Sequence, residues 1–268
     1  MQVCRLPLIL SGLFAAGLAM SGCATPPAPG PTAAAEPESF NDPWEDTNRQ
    51  VFAFNQTVDK NVLVPVANAY RSVVPPPMRQ SLHDFLQNLN GPVIFANDVL
   101  QGDPNLAAKT LARLAVNTTV GVGGLFDVAT RMGIPYHTND FGITLAHWGF
   151  VAGPYVIVPI LGPSNPRDLV GEVADSYMDP ADYVASQHRV WAAVVARTVT
   201  SGIDVRSRNI ETLAEIEKTA LDYYATIRSL YRQRREAQIR HEQSNLPNPG
   251  FGGGDSDGSA SMSYTISK

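Results

Sequence analysis

Apolar residues recur at steps of three and four along most of this chain, the period of a helix with one apolar side. Val51, Phe54 and Val58 share such a face, and Asp46 or Thr47 stands where a cap would open the helix. Pro75-Pro76-Pro77 stops one element and Met78 starts another. Met78, Leu82, Phe85, Leu86 and Leu89 fall within one arc of about 100°, opposite Arg79, Gln80, Ser81, His83, Asp84, Gln87 and Asn88. Gly91-Pro92 ends that helix on this reading, and Pro92 to Leu100 forms a short further one, stopped by Gly102-Asp103-Pro104. Pro104 opens an Ala- and Leu-rich helix that Gly121, Gly123 and Gly124 break. Leu213, Ile216, Ala220, Tyr223, Ile227 and Leu230 step three, four, three, four, three, which predicts one helix with a seam for a neighbour.

Between residues 133 and 166 the helical period lapses. The segment HWGFVAGPYVIVPILGPSNPRD, residues 147–168, is apolar but broken by glycine or proline every few residues. Its β-branched run Tyr155 to Leu161 predicts a short hairpin or an extended loop. Helices resume after Pro166 and again from about Ser186.

The ends differ in kind from the middle. Residues 1–22 read as an export leader: Arg5, an apolar run from Leu6 to Met20, then small residues before Cys23. The run is short for a membrane span. Met-Ser-Gly-Cys resembles a bacterial lipobox, in which the cysteine becomes an acylated first residue; the plainer alternative is ordinary cleavage that leaves Cys23 a free thiol. Cys4 would leave with the leader, so Cys23 has no partner for a disulfide. Three acyl chains would anchor it by about 30 kcal/mol, at about 0.8 kcal/mol per CH₂. Residues 23–40, rich in Pro and Ala, read as a linker. The helical domain follows at 41–243, and 244–268 is a Gly/Ser-rich tail expected to be disordered.

The chain carries 20 Lys and Arg against 25 Asp and Glu, a net charge of −5, and losing Arg5 with the leader makes it −6. An acidic chain argues against nucleic acid. There is no G-x-S-x-G elbow, no H-E-x-x-H and no Cys/His metal spacing, so no catalytic residue, metal or cofactor is assigned. His137 beside Asp140 reads as a hydrogen-bonded structural pair. Arg232, Arg234, Arg235 and Arg240 suit either the negative end of a helix or a docking patch for a soluble partner. For the Met78–Leu89 face, periodicity by itself favours burial in a core, because the polar side lacks the Lys and Arg of interfacial helices.

A resemblance then adds what periodicity does not hold. Asn41-Asp42-Pro43-Trp44-Glu45-Asp46-Thr47-Asn48-Arg49, followed by VFAFN at 51–55, resembles the opening of the MlaA (VacJ) family of outer-membrane lipoproteins. So do FLQNLNGPVIFANDVLQGD (85–103), RLAVNTTVGVGGLFDVA (113–129), DFGITLAHWGFVAGPYVIVPILGPSNPRD (140–168) and VADSY (173–177). The resemblance implies an all-α, ring-like domain embedded in the inner leaflet of the outer membrane, with a central polar channel and a gating hairpin. It implies removal of mislocalised phospholipid from the outer leaflet, beside a trimeric porin, and delivery to an MlaC-like periplasmic carrier. Ala24 after the cysteine, rather than Asp, points to an outer-membrane anchor on the periplasmic side.

On this resemblance Met78, Leu82, Phe85, Leu86 and Leu89 face lipid. Residues 147–168 line and gate the channel, with Gly149, Gly153, Pro154 and Pro159 as hinge points and Arg167, Asp168 and Asp175 at the polar lumen. Val151 and Ala152 stand where the family is often richer in glycine. Arg167–Asp168 equally suits a local ion pair at a helix start. The alternative function is a non-transporting structural lipoprotein that binds a porin or other envelope partner.

Overall fold

The computed structural model describes residues 41–187 and 190–241. The expected leader, Cys23, linker and tail lie outside them. Helices dominate: α1 (Glu45–Val58), a π-helical turn (Asp59–Leu63), α2 (Val64–Val73), α3 (Pro76–Leu100), α4 (Pro104–Thr119), α5 (Val128–Arg131) and α6 (Phe141–His147). A two-stranded antiparallel hairpin follows, β1 (Val156–Val158) and β2 (Gly162–Ser164), with Val156 opposite Ser164. Then come α7 (Pro166–Met178), α8 (Pro180–Gln187), α9 (Trp191–Arg208), α10 (Ile210–Thr219) and α11 (Tyr223–Ile239). The domain is all-α apart from this hairpin.

Local chemistry explains most helix starts. Asp103, Asn165 and Asp179 each precede a proline and accept hydrogen bonds from first-turn N–H groups of α4, α7 and α8. Proline has no N–H to leave unsatisfied at N1, so the pairing works at both positions. Asp127, Asp140 and Asp222 cap α5, α6 and α11 in the same way.

Four expectations need correction. Gly91-Pro92 does not end a helix: α3 runs through Pro92 to Leu100. Gly91 faces α4 so closely that a Cβ there would lie 2.4 Å from Leu114, so packing against α4 holds the segment helical. The predicted seam of residues 213–230 is two helices, because Ala220 turns extended and Asp222 caps α11. Neither Asp46 nor Thr47 caps α1, whose N-cap is Trp44 without a side-chain bond. The supposedly non-helical region holds α6, too short to show a period. Gly142 and Gly171 let α6 and α7 meet backbone to backbone, a Cβ on Gly171 lying 2.3 Å from the Gly142 nitrogen.

Burial is inverted over much of the molecule. The residues turned inward include His83, Asn97 and Asp98 on α3, Thr110, Arg113 and Asn117 on α4, and Asp204 and Arg206 on α9. Those turned outward include Leu111, Val170, Val173, Val195, Val199 and Tyr177, the last 84% exposed. Met78 is 62% exposed; Leu82, Phe85, Leu86 and Leu89 are half-buried, while His83 from the opposite face is buried. None of the five is fully buried, and the one buried residue of that stretch is His83. Among the described residues no helix is long and apolar enough to cross a membrane.

A conventional apolar cluster sits under the hairpin, where Tyr155, Ile157 and Tyr224 are buried against Val51, Phe52 and Tyr231. Two asparagines one heptad apart on α1 then act as a substitute strand. Asn48 donates to the Tyr155 carbonyl (3.0 Å) and accepts from the Ile157 N–H (2.9 Å). Asn55 does the same for the Val158 carbonyl (3.0 Å) and the Ile160 N–H (2.8 Å). The edge of β1 is thus satisfied by side-chain amides. Ile160 is held at φ +69°, a strained setting for a β-branched residue.

Candidate functional site

A cavity of about 350 Å³ opens between α11, the start of α7 and the loop before β1. Val151, Ala152, Gly153 and Tyr155 form one side; Asn165 and Arg167 form the floor near α7. Arg228, Tyr231, Arg232, Arg235, Glu236 and Ile239 contribute from one face of α11. Its size falls within the range of small-molecule sites, but its lining is unusually rich in arginine.

Those arginines are braced by carboxylates. Arg228 donates to Asp42 (2.6 Å) and Glu45 (3.0 Å). Arg235 grips both Asp140 oxygens, at 2.5 and 2.7 Å, and its Nε lies 2.7 Å from Asp168. Asp168 is the hub: its Oδ2 also accepts from Tyr231 Oη (2.7 Å) and Asn165 Nδ2 (2.6 Å), and its Oδ1 from Arg167 Nε (3.1 Å) and Nη2 (2.9 Å). Burial pushes the Asp168 carboxyl upward, but Arg235, Tyr231 and Arg167 outweigh it and hold the group below the usual carboxylate range. Burial raises the Tyr231 phenol well above its usual value, with Asp168 adding to the effect. Gly142 permits this crowding, since a Cβ there would lie 2.5 Å from Arg235 Nη2 and 2.8 Å from Asp168 Oδ1.

The expected channel residues are only partly gathered here. Gly153 and Arg167 line the cavity, and Asp168 stands one bond behind it. The Arg167–Asp168 pair is local, as the simpler reading had it, and both side chains are also buried. Gly149 and Gly153 have φ of +91° and +78°, which suits glycine at the two ends of this loop. Gly149, Pro154, Pro159 and Asp175 are not in the lining. Asp175 instead accepts from Asn97 Nδ2 (2.8 Å) and the Phe141 N–H (2.9 Å). Burial raises its carboxyl to about 7, opposed by the Phe141 hydrogen bond and reinforced by Asp140.

The α11 residues were missed, and a signal for them existed. Arg228, Arg232, Arg235 and Ile239 step four, three, four and so share a face. Read as the run Arg232 to Arg240, the cluster looked like a helix end or a docking patch; Arg235 is in fact enclosed and spent on Asp140 and Asp168.

Elsewhere in the polar interior the candidate histidine makes a structural pair. His137 pairs with Asp98 (3.1 Å), not Asp140, and it meets Asp98 and Thr110 through the same Nε2. A base relay needs the two ring nitrogens to face acid and nucleophile separately. Among the described residues no group of three or more His, Cys, Asp or Glu is placed to hold a metal ion.

A helical domain with exposed apolar residues, buried charged residues and an arginine-lined cavity fits a membrane-associated protein. The chain belongs to the MlaA lipoprotein family, whose model matches residues 40–238. It is 34% identical to the intermembrane phospholipid transport system lipoprotein MlaA of Haemophilus influenzae, over 86% of this chain and 90% of that one. It is 35% identical to an uncharacterised protein of Rickettsia bellii, over 76% of this chain and 78% of that one. A solved structure from work on the maintenance of bacterial outer membrane lipid asymmetry superposes with a TM-score of 0.64 at 33% identity, covering 74% of this chain and 98% of that one.

Proposed function

We propose that this protein is a phospholipid-transport lipoprotein of the cell envelope. It takes mislocalised phospholipid from the outer leaflet of the outer membrane and passes the headgroup through a polar channel. It then releases the lipid to a soluble periplasmic carrier. The observation that carries this reading is an arginine-lined cavity in a domain that buries polar residues on α3, α4 and α9 and exposes apolar ones. A headgroup cannot enter hydrocarbon cheaply, because an unpaired buried charge costs several kcal/mol. Polar groups along α3, α4, α7 and α11 replace its water, while acyl chains stay against the apolar exterior. The protein acts without chemistry on the lipid, as a ring in the inner leaflet beside a trimeric porin, anchored through acylated Cys23. The Gly149–Gly153 loop gates entry, because β1 behind it is pinned to α1 by Asn48 and Asn55.

The test is surface phospholipid in cells lacking the protein, measured by outer-leaflet-specific labelling, with Cys23→Ser as a second arm. A rise in the deletion, reversed by wild type and not by Cys23→Ser, is expected. No rise in the deletion would instead favour a scaffold that only binds an envelope partner.

A further inference from the structure

The wall of the cavity nearest α7 holds an unspent donor. Arg167 is 9% exposed overall, yet it lines the cavity. Its Nε and Nη2 are both turned onto Asp168 Oδ1. Its third nitrogen, Nη1, has no acceptor among the described residues and is not one of the fully enclosed orphan atoms. One edge of the guanidinium is therefore fixed and the remaining corner is open to the cavity. Arg235 differs: its Nη1 and Nη2 are taken up by Asp140 and its Nε lies against Asp168.

The setting suits an oxyanion. Arg167 stands in the first turn of α7, a 13-residue helix whose positive end faces the cavity. The first-turn N–H groups are already engaged: Asp168 N donates to Asn165 and Arg167 N to the Ala152 carbonyl at 3.4 Å. The helix thus supplies field and Arg167 supplies the donor. Of the nearby carboxylates, Asp168 and Asp140 are matched by Arg167 and Arg235, and Glu236 in the lining faces Arg240 at 3.9 Å and shares the cavity with Arg228 and Arg232. The volume admits a headgroup but not two long acyl chains with it.

We propose that Arg167 Nη1 receives a phosphate-type oxyanion in this cavity, the phosphodiester of a lipid headgroup or a free phosphate. Asp168, Asn165 and Tyr231 act as positioning residues that aim it. The inference rests on the reading that phospholipid enters here, and it names the contact that distinguishes phospholipid from neutral lipid.

The test uses the full-length protein in non-ionic detergent, titrated with dihexanoyl phosphatidylglycerol, dihexanoylglycerol, glycerophosphoglycerol and inorganic phosphate. Arg167→Met leaves Asp168 with Arg235, Tyr231 and Asn165, so the hub persists. It is expected to weaken phosphatidylglycerol and glycerophosphoglycerol roughly ten- to a hundred-fold, the worth of one charge-assisted hydrogen bond, and to leave dihexanoylglycerol unchanged. Arg167→Lys keeps the charge without the fork and recovers part of the loss; it decides the matter if the Met variant does not fold. Unchanged binding of phosphatidylglycerol, glycerophosphoglycerol and inorganic phosphate alike in a folded variant overturns the role of Arg167 while leaving transport standing. Wild type that binds neither lipid overturns both. Loss confined to inorganic phosphate supports the oxyanion site and names free phosphate as its source.

Discussion

Under the hairpin, Tyr155, Ile157 and Tyr224 are buried together, and α1 holds β1 from one side as a neighbouring strand would. Along α3, α4 and α9 the enclosed residues include His83, Asn97, Asp98, Thr110, Asn117 and Asp204 beside Val93, Ile94, Ala107 and Val205, while Leu111, Val195 and Val199 face out. The first region draws its stability from removing apolar surface from water. The second adds a network of buried polar pairs: His83 on Asp204 (2.7 Å), Asn139 on Asp98 (2.7 Å), Thr144 on Asn97 (2.7 Å). A polar interior is rigid when satisfied and costly when one member is lost. It also leaves the apolar side chains free to face a non-aqueous exterior. The difference teaches that outward apolar residues here are the counterpart of inward polar ones, not a failure of packing.

Substitutions can set the two regions against each other. The largest loss is expected from Arg235→Met, which strips Asp140 of its bidentate partner and should cost about 3–5 kcal/mol, as for other broken buried pairs; thermal melts in detergent check it. In the apolar cluster Ile157→Ala should cost about 2–4 kcal/mol by leaving a cavity, and a smaller loss than that of Arg235→Met is the outcome that sharpens the contrast. Asn48→Ala removes a partner from the Ile157 N–H and the Tyr155 carbonyl and should cost about 1–3 kcal/mol. Hydrogen exchange at Ile157 should rise with it; unchanged protection there would break the substitute-strand account.

Asp175 gives the contrast a pH signature. Its carboxyl is raised to about 7 from an ordinary 3.8, so the folded protein binds the proton more tightly than the unfolded chain. Stability contributed by the protonated form is full below about pH 4 and falls as pH rises toward 7. Asp175→Asn should flatten that slope and raise the melting temperature at pH 7.5. A wild-type slope retained in the variant would assign the dependence to other groups. The smallest effect on folding is expected from Val170→Ser with Val173→Ser and Tyr177→Ser, since outward residues in detergent should change stability by no more than about 0.5 kcal/mol each. The same variant should float less with phospholipid vesicles, and equal flotation would argue against a lipid-facing α7.

Much of the fold was legible in advance. Pro104 and Pro166 marked the starts of α4 and α7, because capping and the missing proline N–H act within one turn; the start of α8 at Pro180 was not read, the next helix being expected only from about Ser186. The hairpin was readable from its β-branched run. Arg167 and Asp168 were singled out by the family resemblance, with a local ion pair at a helix start as the other reading. By contrast α6, the unbroken α3 and the Arg228–Arg235 face of the cavity were not read, because each depends on a contact from far along the chain. Leu114 closes on Gly91, Gly171 closes on Gly142, and Asp140 and Asp168 draw Arg235 inward.

The amino-acid pattern was enough for the helical class, several helix starts, the family and the two-faced character of α3. It left open which of its polar residues would be enclosed. Amphipathic spacing is symmetric between an apolar core in water and a polar core in lipid, since the same side chains leave water in either case. Only the tertiary structure decided that. By pairing His83 with Asp204 and gathering Asp168, Arg167 and Arg235 at one junction, it satisfies charges that would otherwise have to stay in water.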